Sequence, residues 1–553
     1  MISVKKYNLR KLKRKFENRD FAIPEIQRQY VWRRRQVLKL FDSIFRNYPV
    51  GISLVWHAPF SKAIHIRPNS KTILHPFNKK AKFTELVIDG QQRLSTLFGI
   101  INGIEERPDA GSTINFKNVF FNCDKKSERR FVFSKKYDEN TKGYIRLTDL
   151  INVPPARLKR RHGLTDWETK EAVKCYNAFH SYVFLILVYE GKNFSDIKEV
   201  FIRINSAGMR VSRADTLFAR ATNVNLRDNI LDTKRGLNHG YRSISTEAMQ
   251  STLGLAYGAS RITARDLESV LSRIERDRKD NKEFNRIWRK LQYGYEEAVD
   301  FLVNYLKVTN PSILPYPNIY ALLSYFFYLT QSRAKPSQIS EIKKWFWHTS
   351  CGERYSGASF NRNVPNDIKF FSRLARNPNA KYYVEEKINP VDFFKSEYNK
   401  ASSSAKAYFL LLQIKRPAYL LNGIEMLLDK TSSSSNRKDR HHIFPQALLK
   451  RRNVHARWIN SIVNICYLEA DENQSISDTS PAKYLPAFKK LSHFGRVMRS
   501  HLIPYAANSP VWNNHIRLAF LKFINERGRL IVTAIEDIAG ARIFEKLDNV
   551  KRI

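Results

Sequence analysis

The chain is expected to be a multidomain α+β protein, on three observations. Its 553 residues are too many for one compact core. Its texture changes twice. Residues 1–220 mix short apolar runs, turn signals and helical stretches, residues 221–400 carry mostly helical periodicity, and residues 401–553 hold a strand-like segment beside a pair of histidines. Finally, 43% hydrophobic and 12% aromatic residues are enough to bury real cores, which excludes a disordered chain.

Charge narrows the function. Lys and Arg number 95 against 52 Asp and Glu, a formal net charge of +43 with a pI near 10.0. Such an excess repels itself unless polyanions neutralise it, and nucleic acid is the leading polyanion because neutralised phosphates release counterions. A membrane surface is the rival. No apolar run reaches spanning length and no basic amphipathic segment carries a lipidation motif, so no membrane partner is expected. The basic N-terminus lacks the apolar core of a signal peptide. Cys123, Cys175, Cys351 and Cys466 are widely spaced and form no C-x-x-C pair, which argues against a zinc knuckle or a disulfide framework. A reducing cytoplasm is the expected location.

Taken in order, "VWRRRQVLKLFDSIFRNY" predicts a helix near Arg34 to Tyr48, with Val37, Leu38, Phe41, Ile44 and Phe45 at helical spacing. "LVIDGQQRLSTLFGI" predicts a buried strand through Leu86-Val87-Ile88, a turn at Asp89-Gly90 and an amphipathic helix from Gln91. "IYALLSYFFYLTQS" and the aromatic "WFWH" at Trp345 to His348 read as helical core. Serine clusters at Ser402 to Ser404 and Ser432 to Ser435 read as flexible joints around a helical segment. Ser461 to Ala470, rich in Ile, Val and Tyr, reads as a strand.

The stretch "DRHHIFPQALLK" opens the last region. Phosphodiester hydrolysis needs a base to deprotonate water, positive charge for the phosphate and leaving oxygen, and a scaffold that holds both. His441-His442, Pro445, Asn464 and Asn473 together resemble the HNH (ββα-metal) nuclease motif. That resemblance implies His441 and Asn473 as metal ligands, His442 as general base, and Asn464 as a brace for the loop joining two strands. It also implies a hard divalent ion, Mg²⁺ or Mn²⁺. Asp439 stays open as an alternative acidic ligand. On a strand, alternation would send His441 and His442 to opposite faces.

In the first region, "DGQQR" at Asp89 to Arg93 stands where a strand turns into a helix, a place whose free amides and dipole favour anions. Together with "IPEIQRQYVWRRRQ" and "VFIRINSAGMRVSRAD", and with the histidine motif downstream, it resembles GmrSD-type modification-dependent restriction endonucleases. The resemblance covers both ends of the chain and implies a ParB-like nucleotide-binding domain over 1–220, a helical middle over 221–400 and an HNH nuclease domain over 401–553. It makes Asp89, Gly90, Gln91, Gln92 and Arg93 candidates for binding an NTP, GTP included, with Asp89 and Arg93 in its hydrolysis. Arg28, Arg203 and Asn205 are the remaining candidates of that pocket. No G-x-x-x-x-G-K-[ST] loop is present, so any phosphate cradle is of another kind.

The expected function is an NTP-regulated, metal-dependent endonuclease of anti-phage defence acting on double-stranded phage or modified DNA. Phosphorothioate or a modified cytosine are the modifications in view, and a homo-oligomer or partner defence proteins stay open. The alternatives are an NTP-gated DNA-binding regulator with an inactive HNH scaffold, and an RNA-targeting or suicide nuclease.

Overall fold

The computed structural model describes the chain apart from residues 1, 25–26, 28, 60–65, 67–71, 75–81, 109–110, 125–126, 128, 138–140, 191–199, 201–223, 225, 263–269, 271–281, 400–401, 427–438, 469–475, 549 and 552–553. It divides into two compact units, Met1–Asn225 and Leu226–Ile553.

The first unit begins β1 (Ile2–Tyr7), α1 (Leu9–Glu17), β2 (Phe21–Ala22), α2 (Arg34–Phe45), β3 (Ser53–Pro59), β4 (Phe83–Asp89) and α3 (Gln91–Asn102). Three short strands follow, β5 (Val119–Asn122), β6 (Phe131–Phe133) and β7 (Tyr144–Arg146). The helices α4 (Leu147–Asn152), α5 (Pro155–His162) and α6 (Asp166–Ser181) then lead to β8 (Phe184–Tyr189). The main sheet has the order β1-β8-β3-β4-β2, with β1/β8 and β3/β4 antiparallel and β8/β3 and β4/β2 parallel. Both its faces are covered, and strand alternation sorts the side chains. Val55 and Val87 join the large core beneath the helices, while Leu54, Trp56, Leu86 and Ile88 join a smaller cluster on the other face. A second sheet, β6-β5-β7, is antiparallel.

The predicted strand, turn and helix around Asp89 are all present, and Gly90 caps α3 in the left-handed region at φ 85°. The amphipathic expectation for α3 fails. Gln91, Gln92 and every residue from Leu94 to Ile101 are buried, because the helix is enclosed by core on most of its circumference. The helix at Arg34 ends at Phe45, before the left-handed Asn47.

The second unit opens with the helices α7 (Leu226–Gly236), α8 (Thr246–Ala256), α9 (Lys282–Asn304), α10 (Pro317–Thr330), α11 (Pro336–Cys351) and α12 (Ser359–Arg376). Next come α13 (Pro390–Phe394), α14 (Ser403–Ile414), β9 (Asp439–His442), α15 (Gln446–Lys450), α16 (Ala456–Ile459) and β10 (Ile465–Leu468). It closes with α17 (Pro481–Lys489), α18 (Phe494–Ser500) and α19 (Ile516–Ala539). The sequence texture suggested a break near residue 400, but α11 packs against both α14 and α19, so helices from both sides share one core. Trp345, Phe346, Trp347 and His348 are all buried in it, as expected.

Two local expectations change. The serines at 402–404 are a helix start rather than a joint: Ser402 caps α14 by accepting from the Ala405 amide, and Ser403 and Ser404 are buried. The helical segment expected after these serines ends at Ile414, and Ser432 to Ser435 lie outside the described residues. The strand expected over Ser461 to Ala470 shortens to β10, because Ser461 accepts from the Val463 amide and starts a 3₁₀ turn over Ile462–Asn464.

Two buried histidines make this unit acid-sensitive. His348, bonded to the Tyr382 hydroxyl and the Glu386 carbonyl, is pushed down to about 4 by burial and then by Arg354, with Glu386 opposing. His501 is likewise pushed to about 4, chiefly by burial with Arg527 adding to it, against its bonds to the Val497 and Tyr467 carbonyls. An unfolded histidine titrates near 6.5, so as pH falls the unfolded state binds these protons first. The unfolding midpoint of this unit is therefore expected to be flat above pH about 6.5 and to drop as pH falls to about 4. A melting series that stays level across that window would contradict the assignment.

Candidate functional site

In the first unit the DGQQR turn and the Gln27 to Trp32 loop are brought together by hydrogen bonds that start at Gln92. Its carbonyl oxygen accepts from the amides of Val31 at 2.9 Å and Trp32 at 3.3 Å, and its amide donates to the Gln29 carbonyl at 3.2 Å. Gln91 accepts from the same amide at 3.3 Å, Gln27 donates to the Ile88 carbonyl, and the hydroxyls of Tyr30 and Thr96 meet at 2.8 Å.

Arg93 turns the other way. Its guanidinium donates to the carbonyls of Val50 at 2.7 Å and Ile52 at 2.8 Å and lies 3.4 Å from Asp89. Burial lowers its pKa, with Asp89 opposing. A Cβ on Gly51 would stand 2.5 Å from that guanidinium, and one on Gly90 would stand 2.2 Å from the Ser53 hydroxyl. The glycines thus let the chain approach itself. Of the five residues only Asp89 leaves an acidic side chain substantially exposed, at 39%. Arg28, Arg203 and Asn205 lie outside the described residues.

In the second unit β9 and β10 pair antiparallel, with His441 opposite Cys466 and His442 opposite Ile465. The two histidines do point to different faces, as alternation requires. His441 is buried, 5% exposed, and lines a small hollow with Ile443, Cys466, Leu468, Tyr484 and His501. His442 faces the other way. Its Nε2 meets the Asn460 side-chain oxygen at 3.2 Å, and its ring stands edge-on to Tyr398 with centroids 5.2 Å apart. Burial lowers the His442 pKa and Lys450 adds to this, while the Asn460 bond opposes. The imidazole is thereby kept neutral, the form a proton acceptor needs. With Nε2 donating to Asn460, the Nδ1 lone pair is left to accept.

Asn464 is fully buried, and both ends of its amide hold the chain. The oxygen accepts from the Phe444 amide at 2.9 Å, and the nitrogen donates to the carbonyls of Phe444 at 3.1 Å and Ile459 at 3.0 Å. Its own carbonyl accepts from the Ile443 amide at 2.8 Å. Asn464 is therefore a positioning residue that pins the loop leaving β9, and it does not reach a substrate. Phe444 in turn packs on Phe520 and Phe523 of α19.

Asn473, expected to share a metal with His441, lies outside the described residues, and the side chain of Asp439 is likewise not described. Among the described residues no three His, Cys, Asp or Glu side chains converge on a point that could hold a metal ion. His441 itself faces a mostly apolar hollow. The described donors do not by themselves fit a divalent ion. All four cysteines are buried, and none forms a disulfide.

Sequence reasoning missed Asn460, Tyr398 and Lys450. Asn460 follows α16 and is placed by the Ser461 turn, and Tyr398 reaches the histidine from 44 residues upstream in the chain. Neither belongs to a local motif. The Asn460 to Ser461 juncture before Asn464 was the one signal that could have pointed to the first of them.

Two segments of the chain match domains of one family. Residues 9–222 match the GmrSD restriction endonuclease N-terminal domain, and residues 392–506 match the GmrSD restriction endonucleases C-terminal domain. An uncharacterized protein of Methanocaldococcus jannaschii, MJ0686, is 25% identical over 531 residues, with 86% of each chain covered. The matched domains imply a nuclease with DNA as substrate. Among the described residues no helix is long and apolar enough to cross a membrane.

Two substitutions test the scaffolds. Asn464→Ala strands the buried Phe444 amide and carbonyl, and should cost about 2–4 kcal/mol in chemical denaturation. Gln92→Ala frees the amides of Val31 and Trp32 and should cost about 1–3 kcal/mol. A change within about 0.5 kcal/mol, the usual range of a neutral surface substitution, would show that these amides do not hold their loops.

Proposed function

We propose, from the premise that both matched domains support the GmrSD restriction endonuclease family, that this chain is an endonuclease that hydrolyses phosphodiesters of modified DNA with His442 as general base. The observation that carries the reading is the setting of His442. A neutral imidazole is oriented by Asn460, limited in its tilt by Tyr398, and set on a strand whose exit loop Asn464 locks.

In this reading His442 Nδ1 takes a proton from water. The water oxygen forms a bond to phosphorus as the bond from phosphorus to the leaving oxygen breaks, and the leaving oxygen takes its proton from solvent. Arg440 stands on the same face of β9 as His442. Its guanidinium donates to the Tyr398 carbonyl at 2.9 Å and lies over the Phe409 ring. Lys450 supplies positive charge near the base, which suits a phosphate. The motif proposes His441 and Asn473 as holders of Mg²⁺ or Mn²⁺, but His441 faces an apolar hollow away from His442, so no step at His442 is assigned to a metal.

Nucleotide regulation is the finer part of the proposal. Gln92 and Arg93 are bonded to the chain itself, so Asp89 is the group of the DGQQR turn best placed to act on a ligand. A role in anti-phage defence, with phosphorothioate or modified cytosine as the signal, rests on the family likeness.

Plasmid nicking with Mg²⁺ or Mn²⁺ tests the central claim. His442→Ala should lose roughly 10²–10⁴-fold in rate, the usual share of a positioned base. Equal nicking by wild type and variant would remove His442 from the mechanism. For the first unit, Asp89→Ala should abolish NTP turnover while costing no more than about 1 kcal/mol, the worth of one partly exposed ion pair to Arg93. Unchanged turnover would move the nucleotide site elsewhere.

A further inference from the structure

A cavity of about 650 Å³ lies beside the nuclease strand in the second unit, and no motif in the sequence announces it. That volume is in the range of sites that enclose a small organic group, roughly 300–1,000 Å³. Its floor is polar, buried and internally bonded. Asp367 accepts from the Trp345 indole at 2.9 Å, the Tyr355 hydroxyl at 2.5 Å and Arg354 at 3.1 Å. His348 and Tyr382 meet at 2.8 Å beside them. These groups satisfy one another, so the floor is preformed.

The rim is different. Along α12, Arg362, Asn366, Lys369 and Arg373 are exposed at helical spacing and line one side. Arg457 lines another, and the ring of Tyr383 is 70% exposed. Arg362 pairs with Glu386 at 2.9 Å and Lys395 with Asp392 at 3.6 Å. Lys369, Lys387, Arg373 and Arg457 also line the cavity and offer positive charge to a phosphate backbone, Arg373 while donating to the Lys381 carbonyl at 3.0 Å.

The cavity wall is also the wall of the catalytic strand. Lys395, Ser396 and Glu397 line the cavity, and Tyr398, next in the chain, contacts the His442 ring. The Tyr398 amide donates to the Asn460 carbonyl at 3.1 Å, the Ser396 carbonyl accepts from Ile462 at 2.9 Å, and Arg457 donates to the Lys395 carbonyl at 3.3 Å. Arg457 stands three residues before Asn460, the partner of His442.

We infer that this cavity receives one nucleotide of the substrate strand, swung out of the duplex, while a neighbouring phosphodiester lies at His442. An aromatic face, amide and carboxylate side chains for base edges, and cations for phosphates are the parts such a pocket needs, and Tyr383, Asn366, Glu385 and Arg373 supply them. The inference rests on the nuclease reading above. It adds where the base goes and which residues read it.

The test uses full-length His442→Ala protein and duplexes carrying one mismatched 2-aminopurine, whose fluorescence rises when the base unstacks. Binding should raise the fluorescence. Tyr383→Ala in that background should abolish most of the rise while retaining the duplex, and Lys369→Ala with Arg373→Ala should weaken duplex binding roughly tenfold. Retained duplex with no rise, or a rise unchanged in Tyr383→Ala, overturns the inference and leaves nicking by wild type untouched. A free 2-aminopurine nucleotide bound as tightly as the duplex would make the cavity a small-molecule site and likewise overturn it. Failure of both duplex binding and wild-type nicking removes the nuclease reading and this inference together.

Discussion

Arg527, buried completely in the middle of α19, is the interaction on which the placement of β9 and β10 depends. Its guanidinium donates to the carbonyls of Val463 at 2.5 Å, His501 at 2.7 Å and Leu502 at 3.2 Å, and to the Tyr408 hydroxyl at 2.9 Å. Tyr408 passes the constraint on by donating to the Ile465 carbonyl at 2.5 Å. One buried cation thus fixes both sides of Asn464, the residue that fixes the exit from β9 and so the angle at which His442 is presented. A buried charge is tolerable only when its hydrogen bonds are met, which makes this hub intolerant of movement in any of its partners.

The first unit solves a similar problem with a neutral side chain. Gln92 holds a loop by its backbone amides, as Asn464 does, and in both cases a planar amide reads donor and acceptor together. The two scaffolds differ in what they leave open. Around His442 the unused valence is a ring nitrogen in the field of Lys450. At the DGQQR turn it is the part of the Asp89 carboxylate that its 3.4 Å pairing with Arg93 leaves exposed, because Arg93 is otherwise taken by the 50–52 loop and Gly90 by the approach of Ser53.

Much of this was legible in the residues. The strand, turn and helix at Asp89, the aromatic core at Trp345 and the opposed faces of His441 and His442 follow from periodicity and spacing, which are local properties. The serines at 402–404 misled because serine favours both flexible joints and helix caps, and only the amide of Ala405 decides between them. The α3 helix misled for another reason. Its glutamines and threonine mark a polar face in sequence, yet their bonds to the Gln29 to Trp32 loop let that face be buried.

By itself the sequence determined the division into chemically distinct ends, the excess of positive charge, and the pair of histidines with an asparagine downstream. Tertiary structure decided which groups surround them. Asn460 and Tyr398 meet His442 from separate segments, and the cavity beside them is lined by residues from 348 to 457. Such convergence depends on how helices pack rather than on how residues are spaced, so it became visible only when α11, α12, α14 and α19 closed around one core.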